Sequence, residues 1–160
     1  RAAAAVASEL ANQLGCERVG LGWLDGLHVR VVALSHGAQV ANHPALDELA
    51  GAMYESTSQA ATLNVSHNRE AAVHLTRAHQ ALMRRQGVAA VLSVPVAQGG
   101  EVVAALTCER ALRPFGAAEV LLVEQVAAAV APLLVMKREL ELPWRKRAAT
   151  RLRRLRAELS

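Results

Sequence analysis

The chain has 160 residues, enough for one domain with a substantial core, and 52% of them are apolar. Its aromatics are only Trp23, Tyr54, Phe115 and Trp144, too few for an extended surface that stacks on bases or tetrapyrroles. The net charge of +4 is local: seven of the 18 Lys and Arg lie in 145–156, and without residues 143–160 the chain carries 11 basic against 13 acidic groups, so a basic surface spread over the whole domain is excluded.

In chain order, residues 2–14 are rich in strong helix formers, with Ala3, Val6, Leu10 and Leu14 on one stripe and Gly15 as a stop. Arg18 to Leu24 alternates as a strand, Asp25-Gly26 signals a hairpin, and Val29 to Leu34 returns. Pro44 suits the first turn of a second helix, with Asn42 as a cap; Leu46, Leu49, Ala50 and Met53 form its apolar face, and it should end near Gln59 or Ala60. Residues 62–66 are extended or looped. Residues 67–86 admit two readings: one helix capped by Asn68, or a short strand over 72–75 followed by a helix from Arg77 to Gln86 capped by Thr76. The second is preferred, because Thr is poor inside a helix and good at its cap.

Val88 to Arg110 organises the chain. Two apolar runs flank Gly99-Gly100, and paired glycines accept the positive φ of a tight hairpin turn. With Gln98 opposite Glu101, Val96 faces Val103, Val94 faces Ala105 and Leu92 faces Thr107. Ser93, Pro95, Ala104 and Cys108 then share the other face. Both faces are apolar, so the ribbon belongs near the middle of a covered sheet. Pro95 requires an edge, a bulge or a short neighbour on the outer side of its strand. Pro114-Phe115-Gly116 breaks the chain, Gly116 with Glu119 starts a helix, and Ala117 to Leu142 continues it, apolar nearly all round between Val126 and Met136. That stretch needs cover on more than one side. No apolar run reaches the roughly 18 residues of a membrane span without a charge or a proline. After Pro143 a basic helix follows, with Ala149, Leu152, Leu155 and Leu159 on a stripe. The mid-helix opening at Arg1 and the basic end read as a segment of a longer protein. The expected class is α+β, with an antiparallel sheet and the terminal helices on one face.

This order resembles a GAF domain. The matching pieces are ALSHGA at 33–38, AMYESTSQ at 52–59, AHQALMRRQG at 78–87, VLSVPV at 91–96, GGEVVAALTCER at 99–110 and the apolar helix after PFG. More narrowly, the chain looks like the GAF domain N-terminal to haemolysin-D-type membrane-fusion subunits of efflux and secretion systems. The resemblance implies a central antiparallel sheet of five to six strands over residues 1–142, terminal helices on one face, and shorter helices and loops forming a pocket on the other. Residues 143–160 are then a basic helix or linker close to a membrane. It also implies a non-enzymatic sensory or regulatory module that binds a small molecule, dimerises through its terminal helices, and sits at the cytoplasmic face of the cell membrane. The Asn-Lys-Phe-Asp-Glu run of cyclic-nucleotide-binding members is absent, and neither cysteine falls where bilin-attaching members place theirs. No ligand or cofactor follows from these residues.

The pocket candidates are Ser35, His36, Met53, Glu55, His79, Ser93 and Cys108. Five of them have a plainer reading: His36 caps a strand end, His79 completes the first turn of its helix, Glu55 lies on a solvated face, and Ser93 and Cys108 are small core residues. The six histidines (28, 36, 43, 67, 74 and 79) include no pair at helical ligand spacing, and no metal is expected. Cys16 and Cys108 make no disulfide framework; free thiols in a reducing cytoplasm are the default. The basic candidates for an anionic membrane are Arg145, Lys146, Arg147, Arg151, Arg153, Arg154 and Arg156, whereas nucleic acid finds no interleaved aromatics there. Two other functions remain: a dimerisation module with no ligand, and a thiol- or metal-dependent redox sensor or enzyme.

Overall fold

In the computed structural model, residues 1–37, 44–67, 73–141 and 144–159 are described. The elements run α1 (Ala2–Leu14), β1 (Arg18–Asp25), β2 (His28–Leu34), a 3₁₀ turn (Ser35–Gly37), α2 (Pro44–Gln59), β3 (Leu63–Ser66), α3 (Arg77–Gln86), β4 (Ala90–Gln98), β5 (Glu101–Arg110), α4 (Ala117–Glu141) and α5 (Trp144–Glu158). The strands form one antiparallel sheet in the order β2-β1-β5-β4-β3. The α+β class, the sheet and the placement of the helices are as the sequence implied. Asn42 and Asn68, the other proposed caps, lie outside the described residues.

Two covered faces account for the two-sided apolar strands. On one side α1 and α4 pack over Val19, Leu21, Leu92, Val94, Leu106 and Cys108; on the other, α2 and α3 pack over Val31, Val91 and Ala105. Strand β5 sits in the centre, between β1 and β4. The β4–β5 turn uses positive φ at both Gly99 (60°) and Gly100 (78°), as a two-residue turn of this hand requires.

The register departs from the sequence reading. Gln98 pairs with Glu101 and Ala97 with Val102, but Val96 then pairs with Ala104, so Val103 is an extra residue on β5. From there each partner is shifted by one: Pro95 faces Ala105, Ser93 faces Thr107 and Leu92 faces Cys108. Side chains alternate with period two, so this bulge moves Cys108 away from Ser93 to the opposite face of the sheet.

The short outer neighbour of β4 is also not where it was expected. Residues 73–75 form a turn and bend rather than a strand, and residue 72 lies outside the described residues. The neighbour is β3, which pairs only with Ala90–Ser93 and leaves Pro95 beyond its end. The preference for a helix starting after Thr76 holds, although the Thr76 side chain makes no capping bond.

Helix α4 buries Val123, Ala127, Ala131 and Leu134 against the sheet, a stripe at helical spacing. Among the described residues it is the one helix long and apolar enough to cross a membrane; here it is the covering layer of the core. Its start follows the sequence signal: the Gly116 N–H donates to Glu119 Oε1 at 3.0 Å. Glu119 is also bound by the buried Arg110 guanidinium, which donates to the Leu14 and Arg113 carbonyls at 3.0 Å each, to the Pro114 carbonyl, and lies 4.1 Å over the Phe115 ring. Arg110 thereby ties the end of α1 to the start of α4.

Candidate functional site

Sequence residues far apart meet on the α2–α3 face. Glu55 projects from α2 toward the start of α3. Its Oε2 accepts the Ala78 N–H at 2.9 Å, and its Oε1 accepts the His79 N–H at 3.2 Å. The first N–H groups of a helix lack intrahelical partners, so this carboxylate does the capping that Thr76 does not. The same Oε1 lies 2.7 Å from His79 Nδ1, His79 Nε2 lies 2.7 Å from Ser93 Oγ, and Ser93 Oγ lies 2.8 Å from Thr107 Oγ1.

A carboxylate only accepts, so Nδ1–H donates to Glu55. In the neutral ring Nε2 then accepts from the Ser93 hydroxyl, and Ser93 accepts from Thr107. Four elements (α2, α3, β4 and β5) are joined by one chain of polar groups. His79, Ser93 and Thr107 are each 0% exposed, and the Glu55 side chain 12%. Burial alone would raise the Glu55 pKa; the hydrogen bonds from His79 and Ala78 outweigh it and hold the carboxyl below its ordinary value.

Carboxylate, imidazole and hydroxyl in series are also the connectivity of an activated serine nucleophile. The chemistry does not follow here, because Ser93 is wholly enclosed and its oxygen is already shared with Thr107. Two residues along β5 from Thr107, Glu109 is also buried, with Arg18 donating from Nη2 to Oε1 at 3.0 Å and from Nε to Oε2. Burial raises the Glu109 pKa, against the opposing pull of Arg18.

The seven pocket candidates therefore divide. Glu55, His79 and Ser93 come together. Met53 shares their face but fills the space over β1: a Cβ on Gly20 would lie 3.1 Å from Met53 Cε, and one on Gly22 2.6 Å from its Sδ. Ser35 accepts the Val19 N–H at 3.0 Å, a structural bond that ties the 3₁₀ turn after β2 to β1. His36 is exposed, in a left-handed conformation (φ 60°), and its N–H donates to Ser8 Oγ of α1 at 2.8 Å. Cys108 lies on the other face, in the same core cluster as Cys16. The neighbouring Cys16 thiol and complete burial raise the Cys108 pKa well above the ordinary thiol value.

Thr107 and Arg110 were not among the sequence candidates. Thr107 joins Ser93 only through the bulged register, and nothing in the local pattern marks the bulge. Among the described residues no three His, Cys, Asp or Glu side chains gather as a metal site.

Of the basic residues in α5, Arg154 pairs with Glu139 of α4 at 2.7 Å, and Arg151, Arg153 and Arg156 are exposed. Arg145, Lys146 and Arg147 lie within α5 by sequence. Thr150, Arg153, Arg154 and Ala157 line a cleft of about 670 Å³ with Trp23, Leu24, Glu101 and Arg138 of the sheet end and α4. Arg138 stacks 5.0 Å over the Trp23 ring and donates to the Leu24 carbonyl at 3.3 Å.

Solved structures share this fold. The GAF domain of an Acinetobacter phosphoenolpyruvate-protein phosphotransferase aligns at a TM-score of 0.65 and 12% identity, over 86% of this chain and 82% of that one. The GAF domain/HD domain protein of Geobacter sulfurreducens aligns at 0.63 and 14% identity, over 86% and 93%. The blue-light-absorbing form of the Thermosynechococcus elongatus PixJ GAF domain aligns at 0.57 and 22% identity, over 87% and 86%. No curated protein matches the chain. The GAF domain family profile matches residues 1–134. With that match spanning most of the chain, the protein belongs to the GAF domain family.

Proposed function

We propose that this GAF domain is a non-enzymatic regulatory module whose output surface is the α1–α4 layer. One observation carries the reading. Beyond the stripe it buries, α4 exposes a second apolar stripe: Leu133, Met136 and Leu140 are 64%, 56% and 65% exposed. Apolar side chains at this spacing fit a partner helix, and a second copy of the same layer supplies one. The module then acts as a homodimer whose terminal helices pass a change in the sheet or its ligand to the chain that follows, a membrane-fusion or transport module at the inner face of the cell membrane. The input is a small molecule or partner at the α2–α3 side.

A second reading, a dimerisation module with no ligand, is favoured by the polar chain itself. Both Glu55 oxygens and both His79 ring nitrogens are already bonded within the protein. Sedimentation equilibrium tests the dimer: a concentration-dependent dimer is expected, and Met136→Glu should shift it to a monomer that keeps the folded circular-dichroism spectrum. A monomer at high concentration overturns the output surface. A small-molecule screen by thermal shift separates the two readings: a compound that raises Tm in the parent and fails in Glu55→Gln supports the sensor.

A further inference from the structure

Helix α5 lies largely in solvent, and its two sides differ. One side holds Thr150, Arg153, Arg154 and Ala157, which line the cleft over Trp23, with Arg154 paired to Glu139. At 3.6 residues per turn, Leu152, Leu155 and Leu159 fall on the opposite side, and they are 60%, 53% and 87% exposed. An amphipathic helix ordinarily turns its apolar stripe toward the core. Here the side that makes an ion pair with α4 is the polar one, and the leucines face solvent, with exposed Arg151 and Arg156 flanking them.

We propose that this outward leucine stripe docks on an anionic lipid bilayer. Leucines on one face bordered by arginines match a helix lying in the headgroup region. Charge favours a bilayer over a second copy. Seven of the twelve residues in 145–156 are basic, so two such helices side by side repel, whereas anionic headgroups attract each Arg. Residues 1–142 have 11 basic and 13 acidic residues, which confines the attraction to α5 and fixes which part of the domain meets the surface.

The test is sedimentation of the full 160-residue chain with phosphatidylcholine vesicles, with and without phosphatidylserine. Binding is expected only with phosphatidylserine, and it should weaken as salt rises. Leu155→Asp should weaken it by about tenfold or more, the worth of one buried leucine. Arg151→Glu with Arg156→Glu should do the same. Both variants change exposed positions, so an unchanged Tm is the check that they fold. Equal binding to both vesicle types overturns the proposal. So does binding that survives Leu155→Asp, which makes the helix a plain polycation. Loss of self-association in Leu155→Asp without loss of vesicle binding makes the stripe a protein contact instead. The inference does not rest on the α4 dimer: Met136→Glu tests that separately and should leave vesicle binding in place.

Discussion

Glu55 Oε1 lies 2.7 Å from His79 Nδ1 while the two oxygens of the same carboxylate take the Ala78 and His79 N–H groups in the first turn of α3. A helix cap and a buried side-chain pair are thus one contact. Glu55→Ala removes both at once and leaves a buried imidazole N–H unpaired. A loss of about 2–4 kcal/mol is expected, from a cap of about 1 and an unsatisfied buried donor of about 1–3, read as a lower urea midpoint. A change under about 0.5 kcal/mol would show that solvent replaces the carboxylate.

Acid stability follows from the same residue. Glu55 and Glu119 have folded pKa values below the ordinary 4.5, Glu55 through its hydrogen bonds despite burial and Glu119, at about 2, through Arg110. A depressed carboxylate stabilises the fold above its unfolded pKa, and that share is lost as pH falls through the folded value. Stability should therefore drop from about pH 4.5 toward 2. Glu109, raised by burial, works in the opposite sense and offsets part of the loss. In Glu55→Gln the slope of Tm against pH over this window should be shallower; an identical slope would remove Glu55 from the account.

Gly22 is needed for the distance between β1 and α2. An added Cβ would lie 2.4 Å from Val29 Cγ1 and 2.6 Å from Met53 Sδ. Gly22→Ala should cost about 1–3 kcal/mol through overpacking, and pairing it with Met53→Ala should recover part of that in a double-mutant cycle. Strict additivity would mean the two do not meet.

Adjacent positions in α4 should behave oppositely. Leu134 is 8% exposed and belongs to the core, while its neighbour Leu133 is 64% exposed. Leu134→Ala should cost about 2–5 kcal/mol, and Leu133→Ala should be within about 0.5 of the parent in the monomer. Urea melts at low concentration distinguish them.

Cys16 and Cys108 are free thiols, 7% and 0% exposed. The intact mass should be that of the fully reduced chain, and iodoacetamide should reach Cys108 only on unfolding, because burial disfavours its thiolate. Rapid native alkylation of Cys108, or a mass lower by two hydrogens, would revive the redox-sensor reading.

The elements themselves were legible because their signals are local. Gly15 and Gly87 stop helices in the left-handed conformation, Gly99-Gly100 turns the central hairpin, and Glu119 reaches back to Gly116, each within four residues in sequence. The two-sided apolar strands foretold a sheet with layers on both faces, because only burial on both sides repays such a pattern. What the tertiary structure decided was which residues meet. One extra residue at Val103 reversed the facing of β4 against β5, placed Thr107 beside Ser93 and sent Cys108 to the other layer. A bulge leaves no mark in a run of small apolar residues, because either register buries similar side chains. Likewise, the distance from Glu55 to the start of α3 depends on how α2 and α3 pack, and no spacing in the sequence carries it. The outward turn of the α5 leucines has the same origin: the stripe is written in the sequence, but which side a helix presents is fixed only by the surface it lands on.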